Sequence, residues 1–201
     1  MKGLILKDLY MTKAYLRAFV ILMVGFIFLS AFSAENAFFL FYPAILAGTI
    51  PFSLIAYDER SKWNQYCETL PVSRKTVVSA RYIVALGFFF AVFLLTAIIK
   101  PFSPAFSFES YISDLCLLLT MGLLTPTVLL PLVFRFGVER GRLFYYIIIG
   151  VFCALSVTAA DISHLTGSFR GVPLFLLPLV TLVLFALSWL ISIRIYERKE
   201  F

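Results

Sequence analysis

Apolar residues come in six long blocks separated by short polar connections, at about 18–34, 36–57, 82–99, 115–134, 143–160 and 171–193. Each block is near the ~20 residues that a helix needs to cross a bilayer. None alternates polar and apolar positions over about 10 residues, as barrel strands do. The pattern predicts an all-α integral membrane protein, with six transmembrane helices forming one domain over 1–201. Pro43 and Pro51 interrupt the second block, Pro126 and Pro131 the fourth, and Pro173 and Pro178 the sixth. Such prolines are tolerated in a bundle, where neighbouring helices satisfy the freed carbonyls. Ala31-Phe32-Ser33 faintly resembles a signal-peptidase site, but the basic region before it is long for a signal peptide. The first block is therefore expected to be a retained span.

One long polar stretch breaks the pattern, from Tyr57 to Tyr82 between the second and third blocks. In its first half, Glu59 to Leu70, the residues Trp63, Tyr66, Cys67 and Leu70 stand at i, i+3, i+4 and i+7. That spacing predicts a short amphipathic helix with all four on one face. Arg60, Lys62, Asn64, Gln65, Glu68 and Thr69 cover the remainder. Pro71 ends the helix, because its ring drives Leu70 out of the helical region. Ser73 then caps a new helix that runs into the third block. A second, weaker amphipathic piece covers Met1 to Arg17, where Lys2, Lys7, Lys13 and Arg17 are interspersed with Leu4, Ile5, Leu9, Tyr10 and Leu16. It suits either a helix lying on the membrane surface or the flank of the first span.

Composition supports the membrane assignment: 62% of residues are hydrophobic, 14% are charged and the mean hydropathy is +0.98. A soluble chain carries about a quarter charged residues. The net charge of +6 changes the picture through its distribution. With both termini on the cytoplasmic side, only Lys100 and Arg170 of the 17 basic residues fall outside it. That bias orients the chain. The basic charge has anionic lipid headgroups as its partner, and nucleic acid need not be invoked.

Candidate chemistry is sparse. Every Asp, Glu, Lys and Arg is expected in a connection or at a span end, whereas ion-coupled carriers need ionisable groups inside the membrane. There is no H-E-x-x-H metal motif and no G-x-x-x-x-G-K-[ST] phosphate loop, so no catalytic, cofactor-binding or metal site is expected. Asp161 and His164 are too few for a metal site and suit polar residues at a helix end. Cys67, Cys116 and Cys153 show no C-x-x-C spacing. Gly150, Ala154 and Thr158, four apart, form a small-residue face for helix packing, within the bundle or against a second copy of the chain.

Three strings carry a resemblance that covers essentially the whole chain: Met1-Lys2-Gly3-Leu4-Ile5-Leu6-Lys7-Asp8; Asp58-Glu59-Arg60-Ser61-Lys62-Trp63 followed by Leu70-Pro71-Val72-Ser73-Arg74-Lys75; and Phe136-Gly137-Val138-Glu139-Arg140-Gly141-Arg142. With them the chain resembles a six-span permease of the ABC-2 exporter class, and in particular a small bacterial subfamily that includes phenol-soluble-modulin exporter permeases. The resemblance implies that the amphipathic N-terminal piece is an elbow helix. It implies that the polar stretch after the second span is a coupling helix, with Glu59, Arg60, Lys62, Trp63, Tyr66, Glu68 and Leu70 meeting a cytoplasmic ATPase. It further implies a second permease copy or a similar permease, an amphipathic or hydrophobic substrate such as a peptide, a self-immunity role, and a place in the bacterial cell membrane. ATP and Mg would be bound by the partner ATPase. The competing reading of the Glu59–Leu70 segment is a lipid-facing turn with Trp63 and Tyr66 as headgroup anchors, in a subunit that recruits a partner without transporting anything.

Overall fold

Three of the apolar blocks fold into helical segments long and apolar enough to cross a membrane: Arg74–Phe102, Tyr111–Phe136 and Leu176–Glu197. They belong to a computed structural model that describes residues 2–15, 17–32, 37–69, 72–102, 107–148, 150 and 176–198. Among these residues the helices are α1 (Lys2–Tyr15), α2 (Arg17–Phe32), α3 (Ala37–Arg60), α4 (Trp63–Glu68), α5 (Arg74–Ile99), α6 (Phe108–Phe136), α7 (138–148) and α8 (Leu176–Glu197), with a 3-10 turn at Lys100–Phe102. The first expected span corresponds to α2, which meets α1 at a bend of 77°. The second corresponds to α3, with both prolines inside it. Most of the expected fifth span, together with 171–175, lies outside the described residues.

α6 is the centre of the bundle, packing against α3 on one side and α8 on another, while α5 touches α3, α6 and α8. α2 packs on α3 and α5. Small residues set the closest approaches. A Cβ on Gly48 of α3 would come within 2.8 Å of the Thr125 Cβ on α6, and one on Gly122 of α6 would overlap the Phe89 ring on α5. The close crossing depends on missing side chains, since apolar burial gives little drive for association in lipid. Buried Phe52, Tyr82, Phe89, Leu130 and Phe185 fill the space between α3, α5, α6 and α8. A second cluster, including Met23, Ile27, Ile50, Leu54 and Val84, joins α2, α3 and α5. Outward faces stay apolar: Leu179, Val183, Leu187 and Leu190 of α8 are exposed, as a lipid-facing surface requires.

Pro131 shows how the bundle accommodates its prolines. It cannot donate to the Thr127 carbonyl four residues earlier. The Ser188 hydroxyl of α8 donates to that carbonyl instead, at 2.7 Å. Ser188 and Ser192 also share hydrogen bonds with the Tyr82 hydroxyl, at 2.8 and 2.7 Å. Trp189 stacks on the Tyr82 ring at 5.5 Å and donates to the Ser79 hydroxyl at 3.1 Å. A lost backbone bond is thereby exchanged for a polar seam between α5, α6 and α8.

Candidate functional site

One end of the bundle gathers almost all of the described polar chemistry. The end of α3 meets the start of α7, α4 follows α3, and α1 lies against α3 and α5. The start of α5 meets the end of α8, where Arg74 donates to the Glu197 carbonyl at 3.2 Å and Lys75 pairs with Glu197 at 3.5 Å. Lys100 is at the other end, 2.8 Å from Asp114. Lys7, Arg60, Arg81, Arg140 and Arg142, which the sequence assigns to one side of a membrane, come together at the polar end.

The polar stretch begins differently from its expected form. The expected single helix from Glu59 to Leu70 is two pieces. Glu59 and Arg60 are the last residues of α3, and Ser61 and Lys62 form a turn before α4. Lys62 adopts the left-handed conformation at φ 55, which ends α3 and redirects the chain. Asn64, Gln65 and Tyr66 follow Trp63 in the six-residue α4. The expected common face also divides: Cys67 is buried and Trp63 half-buried, but Tyr66 is 57% exposed. Leu70, Pro71 and the side chain of Glu68 lie outside the described residues. Ser73 caps α5 as expected, its hydroxyl accepting from the Thr76 N–H at 3.3 Å.

Trp63 is held by a charge cluster whose members lie far apart in the sequence. The Lys7 ammonium sits 4.2 Å from the Trp63 ring centre, a cation–π contact. It also donates to both Asp58 carboxylate oxygens, at 2.7 and 2.9 Å. Arg81 pairs with that same carboxylate and, at 2.6 Å, with Asp8. Asp8, Asp58 and Arg81 are 1%, 2% and 5% exposed. Two cations and two carboxylates, from α1, α3 and α5, cancel one another at the seat of α4. Asp58 and Arg81 stand near the polar ends of α3 and α5, whereas Lys7 and Asp8 stand midway along α1. The available signal was two aspartates, Asp8 and Asp58, each next to an apolar block on the side that carries most of the basic residues. Burial raises the Asp8 carboxyl above its ordinary range despite Arg81 and Lys7 beside it. Burial also lowers the Lys7 ammonium, against the pull of Asp58. Desolvation outweighs pairing in both cases.

α1 is correspondingly reversed relative to a usual surface helix. Asp8 and Thr12 face inward, with the Thr12 hydroxyl donating to the Asp8 carbonyl at 2.8 Å. Leu6, Leu9 and Tyr10 face outward. An exposed apolar face over a polar seat suits a helix lying in the membrane interface.

Glu59 has a structural role of its own. Its carboxylate accepts the Val138 N–H at 3.0 Å and so caps α7. Gly137, at φ 83, makes the sharp turn between α6 and α7, and Gly141 packs against the Val133 backbone. The Phe136–Arg142 string is thereby fastened to the Asp58–Trp63 string. Between them lies an open cleft of about 620 Å³, lined by Glu59, Arg60, Arg140 and Arg142 among others. Gly150 is exposed, and Ala154, Thr158, Asp161 and His164 lie outside the described residues. No cluster of metal-binding side chains occurs among the described residues.

The family model described as ABC-2 family transporter protein matches residues 3–197. The chain belongs to the ABC-2 transporter family. No curated protein and no solved structure matches it. In this ABC-2 protein all three strings that carry the sequence resemblance meet at one end: Lys7 and Asp8 from the first, Asp58, Glu59 and Trp63 from the second, and Gly137 and Val138 from the third. Membership of the family makes the protein a membrane component of an ABC transporter.

Proposed function

We propose that the chain is the permease subunit of an ABC exporter and that α4 is the part on which its ATPase acts. The observation that carries this reading is the seating of α4: Trp63 is clamped beneath Lys7 while Tyr66, 5.3 Å from it ring to ring, points outward. A helix packed on its inner side and bare on its outer side suits docking into a groove. Force applied there reaches α1, α3 and α5 together through the cluster of Lys7, Asp8, Asp58 and Arg81. Glu59 and Arg60 flank the contact, and Lys62, Glu68 and Leu70 complete it. The ATPase shifts the permease only by its differential affinity for two states of the bundle.

Six spans, cytoplasmic termini, a bacterial cell membrane and a pair of permeases complete the proposal. Gly150, with no described atom within 4 Å of the position a Cβ would take, fits a face turned toward the second copy, with Ala154 and Thr158 along it. The exported substrate is an amphipathic or hydrophobic peptide, a class that suits the apolar clusters between α2, α3, α5, α6 and α8.

Reconstitution with the accompanying phosphate-loop ATPase tests the reading. The pair exports an amphipathic peptide from vesicles only with ATP. Tyr66→Asp, at an exposed position, leaves insertion intact, weakens ATPase co-purification at least about tenfold and abolishes flux, as hot-spot aromatics do. Undiminished ATPase binding and flux in that variant would overturn the role of α4. Partner binding without flux of any peptide would instead identify a recruiting subunit.

A further inference from the structure

The cleft between the end of α3 and the start of α7 adds Arg140 and Arg142 to Arg60, beyond the residues assigned to coupling. Arg60, Arg140 and Arg142 line it against two carboxylates, Glu59 and Glu139. Glu59 is already committed to the Val138 N–H. A second recess of about 160 Å³ shares Arg60 and Arg142 and extends the cleft toward Phe19 of α2. Arg142 is positioned by its guanidinium lying 5.0 Å from the Phe52 ring centre. A cation–π contact of that kind takes up none of the guanidinium N–H donors in a conventional hydrogen bond and leaves them for another group.

The rim of the cleft is of the opposite character. Phe136 and Leu143 line it and are exposed, and Phe144, also exposed, packs on Phe136 with ring centres 4.8 Å apart and planes tilted by 37°. This rim begins the apolar run that continues along α7. A basic pocket opening onto apolar surface at the polar end of a membrane bundle matches one ligand shape: a phosphate head with hydrocarbon tails. We propose that the cleft is a headgroup site for an anionic phospholipid, its phosphate held by Arg60, Arg140 and Arg142 and its chains running over Phe136, Leu143 and Phe144. Arginine forks suit phosphate oxygens in pairs. The proposal rests on the membrane location of the chain and not on ATPase coupling, so a lipid measurement on the isolated protein leaves the transport reading untouched.

The test uses the full chain in neutral-detergent micelles, titrated with phosphatidylglycerol, phosphatidylcholine or inorganic phosphate. Thermal unfolding and native mass spectrometry are the readouts. Phosphatidylglycerol raises Tm and remains bound in the spectrometer, because a ligand of the folded state stabilises it. The double variant Arg140→Gln with Arg142→Gln weakens that binding about tenfold or more, from the loss of two basic contacts. Arg140→Gln alone, at an exposed position, weakens it several-fold and serves if the double variant fails to fold. A control with the same charge loss elsewhere, Arg194→Gln with Arg198→Gln, binds as the parent does. Equal binding of phosphatidylcholine, the same shift from inorganic phosphate alone, an unchanged Arg140→Gln, or an equal loss in the control would each overturn the site.

Discussion

Asp8 and Asp58 are both buried carboxylates, yet they differ in what they accept. Asp58 takes both Lys7 hydrogen bonds and pairs with Arg81, whereas Asp8 meets Arg81 on one oxygen and has Lys7 at 3.8 Å from the other. Removing one member of a buried cluster strands the rest, at about 3–5 kcal/mol. Asp58→Asn therefore destabilises by an amount in that range, read as a large fall in Tm in detergent. Asp8→Asn is milder, because the Asp8 carboxyl already holds its proton more readily than the ordinary value of 3.8. Between that value and its raised folded value, the folded chain binds more protons than the unfolded chain. Its contribution to stability thus declines as pH rises through the interval and recovers on acidification. Lys7 is lowered from 10.5, so its interval lies below that value and stability there increases with pH. A stability profile from pH 7 down to pH 4 should lose its acid-favouring component in Asp8→Asn. An identical slope in parent and variant would show that Asp8 is not the group responsible.

At the scale of elements, the α3–α6–α5 contact is the one most sensitive to volume. Gly48 faces Thr125 and Pro126 across it, while Gly122 meets Phe89 and Ala44. No long flexible side chain is available to move aside at Gly48, since the nearest atoms are the Cβ and Cγ2 of β-branched Thr125 and a ring carbon of Pro126. Gly48→Leu should separate α3 from α6 and cost about 1–3 kcal/mol through overpacking. Gly87→Leu on α5, where no described atom lies within 4 Å of an added Cβ, should cost little and serves as the comparison. Thermal unfolding of the two variants in detergent distinguishes these outcomes, and equal behaviour would mean that the close crossing is not under constraint.

The whole molecule has a polar end and an opposite end marked by Lys100 and Asp114. That difference predicts the orientation proposed above, because basic residues near the spans stay on the cytoplasmic side. In a chain with Cys67, Cys116 and Cys153 replaced by serine, Lys75→Cys should react with a membrane-impermeant maleimide only after cells are opened. Phe102→Cys, 84% exposed at the other end, should react in intact cells. The reverse labelling pattern would invert the protein and remove α4 from any cytoplasmic partner.

Helices, their apolar outward faces and the one-sided charge were legible in the sequence because each depends on local pattern. Block length sets a span and a basic count sets a side, and Ser73 announces its helix by residue type alone. The contacts that make the site were not legible, because they join residues far apart in the chain. Lys7 meets Asp58 and Trp63, Glu59 meets Val138, and Ser188 meets the Thr127 carbonyl only after the helices have packed. Even the break at Lys62 escapes periodicity, since a left-handed residue other than glycine is held by its surroundings. Local chemistry determined that this chain enters a membrane and which end is polar. Tertiary packing decided which charges neutralise one another, which aromatic faces outward, and where three arginines enclose a cleft, because those outcomes depend on distance in space and not on spacing in sequence.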